Sequence, residues 1–132
     1  MTFVSFQQVR FAHVDAAGIV FYPRYFEMLN AAVEDYFEQR HGVSFKEMHL
    51  QRRVGVPTVK VDVTFEAASK LGDDLEFNLS PMKTGRSSVE FSVQVLCAGE
   101  QRLSGTVIIV CTDLDRMRSL PWPDDLRPHP DT

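Results

Sequence analysis

The run His13-Val14-Asp15-Ala16-Ala17-Gly18-Ile19-Val20-Phe21-Tyr22-Pro23 holds the side chains best spaced for chemistry. Asp15 precedes three small residues that read as a turn, with Gly18 at its close. Pro23 suits the first turn of a helix, where its fixed φ helps and its missing N–H costs nothing. Amide groups at a helix start lack intrahelical partners and carry partial positive charge. They can stabilise an oxyanion developing on a carbonyl oxygen. A carboxylate at one end of a turn and a helix start at the other can hold a carbonyl between them, as acyl transfer requires. Taken alone, the local chemistry makes Asp15 an ordinary turn aspartate that accepts its own backbone N–H groups.

Other chemistries find less support. The histidines, His13, His41, His49 and His129, form no pair three to five residues apart, so no metal is expected. There is no G-x-G-x-x-G, no G-x-x-x-x-G-K-[ST] and no G-x-S-x-G, which removes the usual nucleotide and serine-hydrolase signatures, and no cofactor is expected. A net charge of -4 argues against a general nucleic-acid binder. Cys97 and Cys111 fall in apolar runs; without a secretion pattern they read as free thiols in a reducing compartment. Residues 1–10 alternate in polarity, unlike a signal peptide, and no apolar run reaches the roughly 18 residues of a membrane span. The chain is read as soluble and cytoplasmic.

The elements that must position Asp15 follow from periodicity. Residues 3–11 read as a first strand. From Pro23 to His41, Phe26, Leu29, Val33, Tyr36 and Phe37 trace one apolar stripe, with Glu27, Glu34 and Glu38 off it. Gly42 is a natural stop. That helix is about 28 Å long at 1.5 Å per residue, and a shorter helical piece follows at 44–50. Strict two-residue alternation marks strands at 59–66, 75–79 and 89–95, with a more apolar strand at 103–112. The separators contain Gly72, Gly85 and Gly99. One long helix and five strands, four of them in a meander, predict a single α+β domain over residues 1–132. The proline- and aspartate-rich tail at 119–132 is expected to be irregular.

The stretch V-D-A-A-G-I-V-F-Y-P-R-Y-F resembles the signature of the 4-hydroxybenzoyl-CoA thioesterase family, through Asp15, Gly18, Ile19, Val20, Tyr22 and Tyr25. The segment V-G-V-P-T-V at 54–59 is similar too. The resemblance implies a hotdog fold, a long helix wrapped by an antiparallel sheet. It implies that Asp15 attacks a thioester carbonyl or activates water, that the Tyr22 amide polarises the carbonyl oxygen, and that Gly18 permits close approach. It further implies that the turn K-T-G-R-S-S binds the CoA phosphates through Lys83, Arg86, Ser87 and Ser88, with Lys70 a weaker candidate. Subunits of this family pair edge to edge, so a homodimer that pairs again into a tetramer is expected, with sites across the interface.

The same comparison narrows the substrate. His13 stands where many relatives carry an acidic residue, and is a candidate substrate contact or a packed histidine. Asn30 stands where hydroxybenzoyl-specific enzymes carry a ring-facing aspartate, and Val56 replaces a threonine near the thioester. These departures argue for a different acyl group. Two alternatives remain: a hydratase or dehydratase of acyl thioesters built on His13 and Asp15, and a non-catalytic acyl-CoA-binding or envelope-associated protein.

Overall fold

The computed structural model describes residues 2–130. Strand β1 (Phe3–Gln8) leads through a 3-10 turn at Phe11–His13 and a tight hairpin into helix α1 (Pro23–His41). A wide helical turn at Glu47–Gln51 follows. Then come β2 (Val54–Gly55), β3 (Thr58–Phe65), β4 (Asp74–Thr84), β5 (Ser88–Cys97), β6 (Glu100–Val110), β7 (Thr112–Asp113) and β8 (Arg118–Ser119). The first strand ends three residues before its expected limit, because Phe11–His13 closes into the 3-10 turn. Helix α1 has the predicted bounds. Pro23 opens it, and Gly42 closes it at φ 71°, donating its N–H to the Glu38 carbonyl.

The large sheet is antiparallel, in the order β1-β4-β5-β6-β3. This corrects the expected four-stranded meander. Strands β4, β5 and β6 do form a meander, but β3 lies at the far edge beyond β6, and β1 takes the place beside β4. Two hydrogen bonds join the ends of β1 and β4, from the Val9 amide to the Asp73 carbonyl and from the Gly72 amide to the Val9 carbonyl. Burial explains the order. The inner face of β4 and β5, Leu75, Phe77, Leu79, Val89, Phe91, Val93 and Val95, is buried beneath α1. In β3, Val59 remains 60% exposed and Phe65 45%, so this strand fits at an edge. It passes so close to β6 that a Cβ on Gly105 would collide with the Asp62 carbonyl. A small second sheet, β2-β7-β8, was not anticipated.

Helix α1 covers the apolar face with Tyr25, Met28, Leu29, Ala32, Val33, Tyr36 and Phe37, all buried. Each of the larger apolar side chains among them contributes about 1.5–3 kcal/mol by leaving water. This is the hotdog arrangement of one long helix in a five-stranded antiparallel sheet. No helix among the described residues is long and apolar enough to cross a membrane. Both cysteines are free, and burial pushes the Cys111 thiol up to about 11.

From β8 to Pro130 the tail is irregular as expected, yet it belongs to the core; residues 131 and 132 lie outside the described residues. Trp122, Leu126 and Pro128 are buried, and the Trp122 indole stacks on Phe37 with ring centroids 6.2 Å apart. Arg52 grips Asp125 through two hydrogen bonds, at 2.7 and 2.9 Å. The His41 Nδ1–H donates to the Asp125 carbonyl, leaving Nε2 to accept the Tyr36 hydroxyl. Burial lowers the His41 pKa, which favours this neutral ring. Composition predicted a loose tail because it counts prolines and aspartates, whereas two large apolar side chains decide the packing. Replacing Trp122 with Ala should cost about 3–5 kcal/mol, as truncation of buried aromatics does. A urea titration whose midpoint did not move would overturn this placement of the tail.

Candidate active site

The Asp15 segment is a closed hairpin. The Asp15 amide donates to the Ile19 carbonyl at 3.0 Å, Val14 bridges Val20, and the Phe21 amide donates to the His13 carbonyl at 2.9 Å. Asp15 sits at the closed end and Tyr22 at the open end, where α1 begins. The Gly18 amide closes the turn on the Asp15 carbonyl, and Gly18 adopts φ 80°, which only glycine enters without strain. Beyond its chain neighbours, no atom of the chain lies within 4 Å of where its Cβ would be. Asp15 is exposed; its Oδ1 accepts the Ala17 amide at 2.8 Å, and Oδ2 has no partner among the described residues.

The helix entry leaves one amide unspent. Pro23 has no N–H, Arg24 donates to the Phe21 carbonyl and Tyr25 to the Tyr22 carbonyl. The Tyr22 amide has no acceptor among the described residues, so it is the N–H available to a ligand oxygen there. Around it lies an aromatic patch: Tyr22 and Phe26 pack edge-on to Phe65, with centroids 6.0 and 6.2 Å apart. Sequence reasoning treated Phe65 as one more strand residue, since only the edge position of β3 brings it to the helix start.

The hairpin is anchored from below. The Val20 amide donates to the Ser69 carbonyl, and Ile19 bridges Lys70. Ser69 is fully buried and receives hydrogen bonds from the Tyr25 hydroxyl and from Arg102. Arg102 also donates to the Asp73 carboxylate at 2.8 Å and to the Ala68 carbonyl. The Lys70 amide beside it, and then Arg102, hold the Asp73 carboxyl below the usual carboxylate range. This network joins β6, the 68–73 turn and α1 beneath the Asp15 hairpin; of the 68–73 turn and Arg102, only Lys70 carries a functional expectation from sequence.

An apolar groove of about 710 Å³ begins at Phe26 and runs along the outer flank of α1. Asn30 and Glu34 line it from the helix; Val56, Val61, Val107 and Ile109 line it from the sheet side. Both residues singled out for the acyl group, Asn30 and Val56, thus face one cavity. His49, Thr58 and Thr112 add polar groups that sequence reasoning missed. The His49 Nδ1–H donates to the Phe45 carbonyl at 2.9 Å, which leaves Nε2 as its acceptor. Phe26 and Phe45 line the groove, whereas Phe37 is core and Phe21 is exposed at the hairpin.

Two other groups fall elsewhere. His13 turns its Nδ1 to the Arg10 amide at 2.8 Å, and no hydrogen bond joins its ring to Asp15 among the described residues. Lys83, Arg86, Ser87 and Ser88 surround the β4–β5 turn, which lies at the other end of the molecule. Strand β4 starts beside the Asp15 hairpin and ends at Thr84, about 33 Å away at 3.3 Å per residue. Lys70 stays at the Asp15 end. The fold of this chain therefore does not bring Asp15 and the Lys83–Ser88 turn together.

A helix entered through a carboxylate-bearing hairpin, laid in a sheet beside an apolar groove, defines a hotdog-fold domain with one exposed candidate acid. The chain belongs to the thioesterase-like superfamily, matching it over residues 9–129. A Nostoc punctiforme protein named 1,4-dihydroxy-2-naphthoyl-CoA hydrolase is 27% identical over 96% of this chain and 84% of its own length. Among solved structures, a gentisyl-coenzyme A thioesterase superposes with TM-score 0.83 at 25% identity, covering 92% of this chain and 97% of that one. A hypothetical protein from Thermus thermophilus superposes with TM-score 0.85 at 26% identity, covering 96% and 93%.

The anchor beneath the hairpin has a pH signature. A carboxyl whose folded pKa is depressed stabilises the fold fully above its unfolded value, about 3.9 for aspartate. The contribution fades as pH falls through the lower folded value. Asp73→Asn should therefore lower the urea midpoint at pH 7 and flatten the loss of stability below about pH 4. An unchanged acid limb in the variant would remove Asp73 from this role.

Proposed function

We propose that this protein hydrolyses acyl-CoA thioesters, with Asp15 as the catalytic carboxylate and the Tyr22 amide as the oxyanion donor. The observation that carries this reading is the pairing, on one hairpin, of an exposed carboxylate with the one unspent amide at the start of α1. The thioester carbonyl binds at the helix entry and its oxygen accepts the Tyr22 N–H, which stabilises the tetrahedral adduct. On the nucleophilic route an Asp15 oxygen bonds to the carbonyl carbon and the C–S bond breaks. This releases the thiolate and leaves an anhydride that water hydrolyses. On the general-base route Asp15 takes a proton from water as that water attacks the carbonyl carbon; the adduct then collapses with C–S cleavage, and the departing thiolate takes up the proton. Single turnover in oxygen-18 water tests the nucleophilic route, since label enters the Asp15 carboxyl only when water opens such an anhydride at the Asp15 carbon.

The position of His13 favours hydrolysis over hydration of an unsaturated thioester, because its ring is engaged with Arg10 rather than with Asp15. The groove supports an aromatic acyl group: its walls are apolar, Phe26 stands at its start, and Asn30, Glu34 and His49 offer partners for ring hydroxyls. The relatives named for 1,4-dihydroxy-2-naphthoyl-CoA and gentisyl-coenzyme A support the same class, a hydroxylated aromatic acyl-CoA.

The exposed edge of β3 is where a second copy would pair in antiparallel fashion. A two-fold axis there reverses one α1 against the other. It brings the Lys83–Ser88 turn of one subunit to the Asp15 end of its partner, so each site is completed across the interface. The free thiols at Cys97 and Cys111 fit a reducing compartment.

Asp15→Asn should lower kcat on the best acyl-CoA substrate by at least about a hundredfold, the usual cost of losing such a group. A fully active variant would end the assignment. Across benzoyl-, hydroxybenzoyl-, dihydroxynaphthoyl- and straight-chain acyl-CoA esters, kcat/KM should be highest for a hydroxylated aromatic ester. A straight-chain ester in first place would refute the aromatic groove.

A further inference from the structure

The C-terminal tail is fastened to the Lys83–Ser88 turn at four points. The Trp122 amide donates to the Arg86 carbonyl at 3.0 Å, and its indole Nε1–H donates to the Ser88 carbonyl at 3.1 Å. The Thr84 hydroxyl donates to the Pro128 carbonyl at 2.9 Å, and the Arg127 Nη1 donates to the Gly85 carbonyl at 3.1 Å. The strap is itself held: Trp122 is buried on Phe37, and Asp125 is gripped by Arg52. These contacts reach Thr84, Gly85, Arg86 and Ser88, so the strap is tied to most of the turn.

The charges are placed with consequence. Lys83 and Arg86 are exposed at the turn, while Arg127 is half-buried with one N–H spent on Gly85. A guanidinium has five N–H donors, so at least four remain, and no carboxylate pairs with Arg127 among the described residues. Of the nearby acids, Asp125 is neutralised by Arg52, Glu90 lies across the ladder from Lys83, and Asp124 is exposed in the strap. Two exposed cations thus belong to this short turn, and a third, Arg127, is held against it by the Gly85 carbonyl.

We propose that the tail is part of the CoA site: Arg127 is a third cation for the nucleotide phosphates, and Trp122 holds the turn in the shape that receives them. This inference rests on the reading of the Lys83–Ser88 turn as the CoA-phosphate site. It adds a residue some forty positions away, in a segment whose composition suggested no function. A planar guanidinium anchored at one corner is oriented in advance, so little freedom is lost when a phosphate binds.

Calorimetric titration of the full-length protein with CoA and with pantetheine, which lacks the nucleotide phosphates, tests this directly. Arg127→Gln should weaken CoA binding about tenfold, with pantetheine binding unchanged and a shallower salt dependence. Arg127→Lys, which keeps the charge, should recover most of the loss. Equal weakening toward CoA and pantetheine would reduce Arg127 to a structural tie and overturn the proposal, as would undiminished CoA binding. Arg86→Gln separates the two levels. If it weakens CoA binding and Arg127→Gln does not, the tail inference alone fails. If neither variant does, or if the wild-type protein does not bind CoA, the CoA reading of the turn fails with it.

Discussion

A single helix has to cover the apolar face of a five-stranded sheet, and the rest of the molecule is arranged around that obligation. Helix α1 can do so only by lying across β1, β4 and β5 with Tyr25, Met28, Leu29, Ala32, Val33, Tyr36 and Phe37 turned inward. Its start must then emerge at one end of the sheet, where the Asp15 hairpin delivers it, and its stop at the other, where Trp122 stacks on Phe37. The flank that does not touch the sheet's centre, from Phe26 to Glu34, becomes one wall of the groove. The site residues therefore sit at the ends and along the side of the element that builds the core.

Each end of the helix is secured in a different way. At the start, the Arg102 guanidinium binds Asp73, Ser69 and the Ala68 carbonyl, so a half-buried charge fixes the turn on which the hairpin rests. Such a group is costly to leave unpaired, which favours a single arrangement of the Asp15 loop. At the far end the fastening is apolar, through Trp122 and Leu126, with polar ties only along the rim. A rigid charged anchor lies under the candidate acid, and an irregular strap lies over the cationic turn.

Much of this was legible in the residue order. The bounds of α1 follow from Pro23, Gly42 and the apolar stripe between them, and the strands follow from strict alternation. Strand order was not legible. The alternation in β3 is as regular as that in β4, yet it says which face is apolar and nothing about which neighbour a strand takes. The core reached into the tail because Trp122 and Leu126 outweigh the prolines and aspartates around them, a contest that averaged composition cannot score.

For the site, the sequence determined the chemical groups: Asp15 on a glycine-closed turn, a proline-opened helix seven residues after Asp15's neighbour Ala16, and a cationic turn at Lys83–Ser88. Periodicity is local, and local forces fix helices, turns and caps. Only the tertiary structure decided which of these groups meet. It put Asn30 and Val56 into one groove, set the Asp15 hairpin and the cationic turn at opposite ends of the fold, and brought Arg127 to Gly85. Those juxtapositions come from how a covered sheet must be wound, and no spacing along the chain encodes that distance.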